Sequence, residues 1–148
     1  MPQTFTRLFY HVVFSTKHRA DLIKPAWEDD LYAYLGGIVR NRKATLVIGG
    51  GTGDHVHLLI RWPTTVSVAD MLRDIKTNSS LWRHEQGDDD FSWQNGYGCF
   101  SISPSDVDAV GNSIAHQKEH HKKMSYQDEF RELVLTHGLE LDEEHMWD

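Results

Sequence analysis

Strand and helix patterns alternate along this chain. Residues Phe5 to Ser15 are rich in β-branched and aromatic side chains, which is typical of a strand. Further along, apolar residues recur every three to four positions, as on one face of a helix. The predicted strands cover residues 5–15, 44–48, 55–62 and 97–103. The predicted helices cover 25–41, 67 to before Gly87, 105–123 and 125 to about 137.

The order of these elements is β-α-β-β-α-β-α-α. It predicts an α+β fold with an antiparallel sheet of about four to five strands and helices packed on one face. The glycine run at 49–53 is predicted to form a loop or a wide hairpin turn. The length of 148 residues fits one domain over 1–148, with an acidic tail from about residue 138.

The net charge of −7 argues at first against a nucleic-acid partner. The charge is unevenly distributed, however, because residues 127–148 hold eight acidic residues and one basic residue. The rest of the chain has fourteen acidic and fourteen basic residues, so a local basic face is possible.

Cysteine content and hydropathy bear on the location of the protein. Cys99 is the single cysteine, which rules out an intrachain disulfide and suits a reducing cytoplasm. The N-terminus lacks the pattern of a signal peptide, and no apolar stretch approaches the ~20 residues of a membrane span. We therefore expect a cytoplasmic protein without a membrane partner.

The motif His55-Val56-His57 is the strongest candidate for chemistry. Residues two apart on a strand face the same way, so both imidazoles should project from one face while Val56 points to the core. Such a pair can bind one divalent metal ion or one phosphate. The alternative is a half-exposed strand with two incidental histidines.

A second cluster lies on the third predicted helix. Ser113 and Gln117 are four residues apart and should share a helix face. The amide oxygen of Gln117 is a ligand that Mg²⁺ or Mn²⁺ accepts. The histidines at 116, 120 and 121 can also bind metal, or they can simply be a solvated helix face.

Taken together, the motifs resemble the small single-tyrosine HUH transposases of bacterial insertion sequences and their REP-associated relatives. The resemblance extends, in order, over nearly the whole chain. Its segments are YHVVFSTKHR (10–19), GDHVHLLI (53–60), VADMLRDIKTNSS (68–80), WQNGYGCFSIS (93–103), VGNSIAHQKEHHKK (110–123) and MWD (146–148).

The resemblance implies a ferredoxin-like or RNA-recognition-like sheet and a metal-dependent reaction. His55, His57 and Gln117 would bind Mg²⁺ or Mn²⁺, which polarises a scissile phosphate in single-stranded DNA. A tyrosine four residues before the glutamine would attack and form a 5′-phosphotyrosine. Members of the family form homodimers and bind hairpin DNA.

The sequence departs from the family at the nucleophile, because Ser113 occupies the position of the tyrosine. The serine side chain is shorter than that of tyrosine. Its alkoxide is also a poorer leaving group than the phenolate of tyrosine, because a phenol has a pKa of only ~10. Tyr126 and Tyr97 are other tyrosines in the region, but they belong to the next helix and to the fourth strand. The sequence therefore predicts an intact metal site with impaired cleavage.

The predicted DNA contacts are Lys17, Arg19, Lys76 and Arg83, since basic side chains neutralise phosphates. Three aromatic residues can either stack on bases or belong to the core: Trp82, Trp93 and Tyr97. Three functions remain open: a transposase, a catalytically silent hairpin-binding regulator, and a hydrolase of small phosphodiesters that uses water.

Overall fold

A computed structural model describes residues 2–148, and they form one antiparallel sheet with five α-helices. The strands stand in the order β2-β3-β1-β4, so the predicted α+β class is confirmed. Their bounds are β1 Leu8–Ser15, β2 Thr45–Gly51, β3 His55–Trp62 and β4 Gly98–Ile102. The helices are α1 Glu28–Asn41, α2 Val68–Glu85, α3 Val107–Ala115, α4 Gln117–His120 and α5 Tyr126–Thr136.

One face of the sheet carries the main core. Val12 and Phe14 of β1 point to this face, together with Leu58 and Ile60 of β3. The apolar sides of α1 and α2 cover them, which is the arrangement that the sequence predicts. Ser67 caps α2 by accepting a hydrogen bond from the backbone N–H of Asp70.

The opposite face of the sheet is also covered, which the sequence analysis did not foresee. Phe9 and Leu59 pack against Ile114 of α3, and Val13 packs against α5. Strand β1 is apolar on both sides because it lies between β3 and β4 with helices above and below. The histidines of β3 therefore lie inside the molecule.

The predicted glycine loop is shorter in the structure, because β2 continues through Gly51. Gly49 and Gly50 pair with Leu58 and His57 of β3. A side chain at Gly50 would collide with the carbonyl oxygen of Ile114, so the bare backbone lets α3 lie close to the sheet.

The third predicted helix is broken at His116, where the backbone leaves helical geometry (φ −109°, ψ 25°). Ser113 is thus on α3, while Gln117 is the first residue of α4. The sequence prediction of one continuous helix to Lys123 was wrong at this point.

The C-terminal segment docks through Trp147. The Trp147 ring lies 5.8 Å from that of Phe130, and the guanidinium of Arg131 lies 5.2 Å from its centroid. Within residues 2–148, none of the helices has the length and apolar character needed to cross a bilayer.

Candidate metal centre and nucleic-acid interface

His55 and His57 project side by side from the buried face of β3. Their exposed fractions are 0% and 1%, and their ring centroids are 5.2 Å apart. They are this deeply buried because β3 is an inner strand and because α3 and α5 cover this face.

Gln117 joins the two histidines from the start of α4. Its Oε1 atom lies 3.1 Å from Nε2 of His55, and the side chain is buried. The structure thus brings together all three residues that the resemblance assigns to the metal.

Two further donors complete the cluster, and the sequence analysis did not assign them to it. Nε2 of His121 lies 2.9 Å from Oε1 of Gln117. Oε1 of Glu129, on the first turn of α5, lies 2.7 Å from Nε2 of His57 and 3.3 Å from Nε2 of His121. The spacing of Gln117 and His121 was a usable signal, because residues four apart share a helix face.

The contact between His57 and Glu129 is unusual. The two atoms are 2.7 Å apart, yet Nε2 of His57 has no hydrogen-bond partner among residues 2–148. A buried polar atom without a partner is costly, so it needs an explanation. A nitrogen lone pair and a carboxylate oxygen that face the same point are the arrangement expected around a cation, and the donor set therefore fits a divalent metal ion.

The second nitrogen of each imidazole is held by another side chain. Nδ1 of His55 lies 2.7 Å from Oδ1 of Asp54 and 3.0 Å from Oγ1 of Thr52. Nδ1 of His57 lies 2.8 Å from Nε2 of His11. When each Nδ1–H donates to its partner, both Nε2 atoms carry the lone pair that a metal needs.

Burial and neighbouring charges shift the pKa values of these donors in different directions. Burial lowers the pKa of His57, and burial together with the adjacent His57 lowers the pKa of His11 to about 3. Burial alone would raise the pKa of Glu129, but the neighbouring His121 and His57 rings hold it well below its usual range. Burial alone would lower the pKa of His121, but the hydrogen bond and charge of Glu129 raise it. These shifts therefore favour a neutral His57 beside an ionised Glu129, whereas a cation must displace the proton that Glu129 stabilises on His121.

Comparison with known proteins identifies the family. A family model described as IS200-like transposase matches residues 4–117. The chain belongs to the IS200-like transposase family. The match ends at Gln117, so His121 and Glu129 lie beyond the matched residues.

Individual IS200-like transposases agree with this assignment. The transposases for insertion sequence element IS200 of Salmonella typhimurium strain LT2 and of Salmonella typhi are each 28% identical to this chain over 128 residues. That alignment covers 83% of this chain and 80% of each relative.

Two solved structures share the fold. One, described as a transposase candidate from Deinococcus radiodurans R1, has a TM-score of 0.63 at 20% identity and covers 79% of this chain and 95% of its own. The other is a REP-associated tyrosine transposase bound to a REP hairpin. Its TM-score is 0.62 at 14% identity, and the match covers 95% of this chain and 87% of the other.

Ser113, which the resemblance aligns with the nucleophile, opens onto the cluster of candidate metal ligands. Ser113 is exposed and lines a cleft of about 320 Å³ that His57, Gln117 and Glu129 also line. Ser113 and Gln117 are four residues apart in the sequence, but the break at His116 places the two on different helices.

Tyr126 lies closer to the site than its position in the sequence suggested. Its ring centroid is 4.5 Å from that of His55, and the side chain is buried. Burial and the nearby charges of Asp54 and Glu129 raise the pKa of its phenol above the ordinary value. A phenol held in its neutral form is a weak nucleophile.

The four predicted DNA-contacting residues separate into two pairs. Lys17 and Arg19 are exposed on a turn directly after β1. The backbone N–H of Thr16 donates to the carbonyl of Asp54 (2.8 Å), so this turn lies beside the start of β3 and its first histidine.

Lys76 and Arg83 are instead engaged within the fold. The ammonium of Lys76 donates to three backbone carbonyls, those of residues 94, 95 and 96. Arg83 is 8% exposed, and its guanidinium lies 3.7 Å from the centroid of the Trp27 ring. The structure does not present either residue as a free surface cation.

The three candidate stacking residues also differ. Trp93 is buried in the main core, and Trp82 packs against Tyr34 with the rings nearly parallel. Tyr97 is 39% exposed beside β4 and is the most exposed of the three, while Trp82 is half-buried.

Proposed function

We propose that this IS200-like transposase binds single-stranded or hairpin DNA and a divalent cation, and that Ser113 impairs its strand cleavage. The observation that carries the proposal is the buried convergence of His55, His57 and Gln117 beside an exposed basic turn. The family resemblance names Mg²⁺ or Mn²⁺ as the cation.

Two sets of residues would bind the cation and the DNA phosphates. His55, His57 and Gln117 would hold the cation, which as a Lewis acid polarises a phosphate of the bound strand. Lys17 and Arg19 would neutralise the phosphates of the same strand as it approaches the cleft.

The step that fails in this proposal is nucleophilic attack. In the family reaction a tyrosine oxygen forms a bond to phosphorus, and the 3′-oxygen leaves and takes up a proton. The Ser113 hydroxyl is nearer to its own helix backbone than a phenol would be. Its alkoxide is also a poorer leaving group for the reverse step. Binding should persist while the covalent intermediate does not form.

A homodimer belongs to the same proposal. Strand β4 is an edge strand, and a groove of about 780 Å³ runs along it, lined in part by Tyr97, Phe100 and Leu139. An unpaired edge with an apolar groove suits a second copy of the chain. Light scattering after size-exclusion chromatography would measure the mass.

The test uses a labelled hairpin oligonucleotide with a single-stranded flank, in Mn²⁺. The natural protein should bind it in a salt-sensitive way and give no covalent band on a denaturing gel. Ser113→Tyr should give the band, and Ser113→Ala is the matched control. Adding His55→Ala to the tyrosine variant should abolish the band.

The outcomes separate the two leading functions. A covalent band with the natural protein would mark it as an active transposase. A band only after Ser113→Tyr would mark the natural protein as a silent DNA-binding relative, which the serine at the mouth of the cleft favours. Absence of hairpin binding at low salt would contradict both.

A further inference from the structure

We infer that His121 and Glu129 bind the cation together with His55 and His57, which makes a nitrogen-rich site that selects Zn²⁺ over Mg²⁺ and fastens α5 to the sheet. This inference rests on the proposed cation site but not on the proposed DNA chemistry. The two added ligands lie outside the residues that the family model matches.

The four donor atoms are spaced approximately as in a coordination shell. One donor atom from each of the four residues lies within 4.8 Å of every other. The shortest separation, between Nε2 of His57 and Oε1 of Glu129, is 2.7 Å. Tetrahedral Zn²⁺ with bonds of about 2.0–2.1 Å places its donors roughly 3.3 Å apart. That value lies inside the observed range, so the ion requires the closest pair to move apart and the widest to move together.

A cation accounts for a short contact that the hydrogen bonds of the cluster leave poorly aligned. The other oxygen of Glu129, Oε2, is already occupied by Nε2 of His120 at 2.9 Å. Oε1 therefore faces His57 and His121 alone, and Nε2 of His57 remains without a hydrogen bond among residues 2–148. A cation between Oε1 of Glu129 and Nε2 of His57 would give each of these atoms a partner.

The donor types decide the selectivity. Three imidazole nitrogens and one carboxylate suit Zn²⁺ and its first-row neighbours, whereas Mg²⁺ prefers six oxygens and retains several waters. The amide oxygen of Gln117 can add a fifth donor. Affinity should fall from Zn²⁺ to Mn²⁺, following the Irving–Williams order, and be weakest for Mg²⁺.

The ligands also connect separate parts of the fold. His55 and His57 lie on β3, His121 follows α4, and Glu129 lies on the first turn of α5. The apolar contacts of α5 with the sheet form a small cluster around Val13 and Phe100. A cation held by all four residues therefore restrains α5 more strongly than these contacts alone.

The experiment measures cation binding by the full chain. Protein stripped with EDTA is titrated calorimetrically with Zn²⁺, Mn²⁺ and Mg²⁺, and hydrogen exchange in α5 is followed with and without Zn²⁺. The ligand variants are His121→Ala and the isosteric Glu129→Gln. The matched controls are His116→Ala, on the neighbouring turn, and Glu132→Gln, on the same cleft.

We expect Zn²⁺ to bind more than about 100-fold tighter than Mg²⁺ and to slow exchange in α5. Each ligand variant should lose more than about 100-fold in Zn²⁺ affinity, since even outer partners of a metal site carry 10- to 100-fold. The controls should stay within a few-fold. Circular dichroism of the metal-free proteins checks that the variants fold.

Two results would overturn this inference while the proposed cation site stands. One is full Zn²⁺ affinity in His121→Ala and Glu129→Gln with loss in His55→Ala. The other is Mg²⁺ binding as tight as Zn²⁺ binding. If His55→Ala also retained full affinity for every ion, the cation site of the proposed function would itself be wrong.

Discussion

Nε2 of His11 lies 2.8 Å from Nδ1 of His57, within hydrogen-bond distance. Both side chains are buried between the sheet and its second layer of helices. With a pKa near 3, His11 stays neutral at ordinary pH and keeps a lone pair for this contact. When His11 accepts from Nδ1–H of His57, Nε2 of His57 carries the lone pair, and we therefore expect His11 to act as a positioning residue.

Replacement of His11 should separate its role as an acceptor from its role in packing. His11→Leu removes the acceptor, and we expect cation affinity to fall about 10- to 100-fold. His11→Gln keeps an acceptor at a similar reach and should remain within a few-fold of the natural protein. Calorimetric titration of both variants checks this, and equal affinity of the two would contradict the positioning role.

Gly50 should be much less tolerant of a side chain than Gly37. A Cβ at Gly50 meets the carbonyl oxygen of Ile114, whereas nothing lies within 4 Å of one at Gly37 on α1. We expect Gly50→Ala to lower the free energy of unfolding by about 1–3 kcal/mol, as overpacking does. Gly37→Ala should raise it by about 0.5–1 kcal/mol, because alanine suits a helix better.

Urea unfolding curves of the two alanine variants measure these changes. Because Gly50 pairs with His57 and touches α3, its variant should also bind cations more weakly. Unfolding energies that fall equally in both variants would show that the close approach of α3 is not what constrains Gly50.

Mutations in the basic turn should weaken DNA binding, whereas mutation of the buried Arg83 should lower stability. Lys17→Ala should weaken hairpin binding and reduce the slope of log affinity against log salt by about 0.7, the value for one phosphate of a single strand. Arg19→Gly should do the same without loss of stability, because Arg19 has a φ of 55°, which glycine adopts freely.

Arg83→Leu is the counterpart on the protein interior. It removes a guanidinium stacked on Trp27 and bonded to Asp88, and should lower the free energy of unfolding by about 2 kcal/mol. Its salt slope in hairpin binding should equal that of the natural protein. Filter-binding titrations over a salt series measure the slopes, and a reduced slope for Arg83→Leu would make it a DNA contact after all.

The thiol of Cys99 should be slow to react in the folded protein. Burial raises its pKa from 9.0 to about 11, so the unfolded state loses the proton first. The stability that the neutral thiol contributes is complete below pH 9 and is lost as the pH rises through 11. Below pH 9, two pKa units reduce the thiolate fraction about 100-fold.

Iodoacetamide labelling measures this difference, since Cys99 is the single cysteine of the chain. The rate in native protein should be about 100-fold below the rate in guanidinium chloride at the same pH. Cys99→Ser is the blank. Equal rates in both solvents would show that the burial at this edge strand is not effective.

The sequence was sufficient where the signal is local. The alternation in β3 placed His55 and His57 on one face, and the serines at 67 and 125 cap their helices by accepting from the N–H of Asp70 and Asp128. These features depend on residues a few positions apart, and such contacts leave a pattern in the chain.

The sequence was insufficient where distant elements meet. Glu129 looked like one more charge of an acidic C-terminal region, yet it is 8% exposed because α5 folds back onto β3. Lys76 looked like a free cation, but three carbonyls of the segment before β4 converge on it. Neither contact leaves a short-range pattern, because the partners come together only when the sheet is complete.

Gly50 and Gly51 carry no functional group, yet they constrain how this protein can change over generations. A side chain at Gly50 would strike the carbonyl of Ile114, and one at Gly51 would strike that of His55. Reactive side chains can be exchanged one at a time while the fold survives, whereas bulk at these two places dislodges the backbone around the cluster. In relatives that lose activity, we therefore expect these two glycines to persist longer than the reactive side chains of the site.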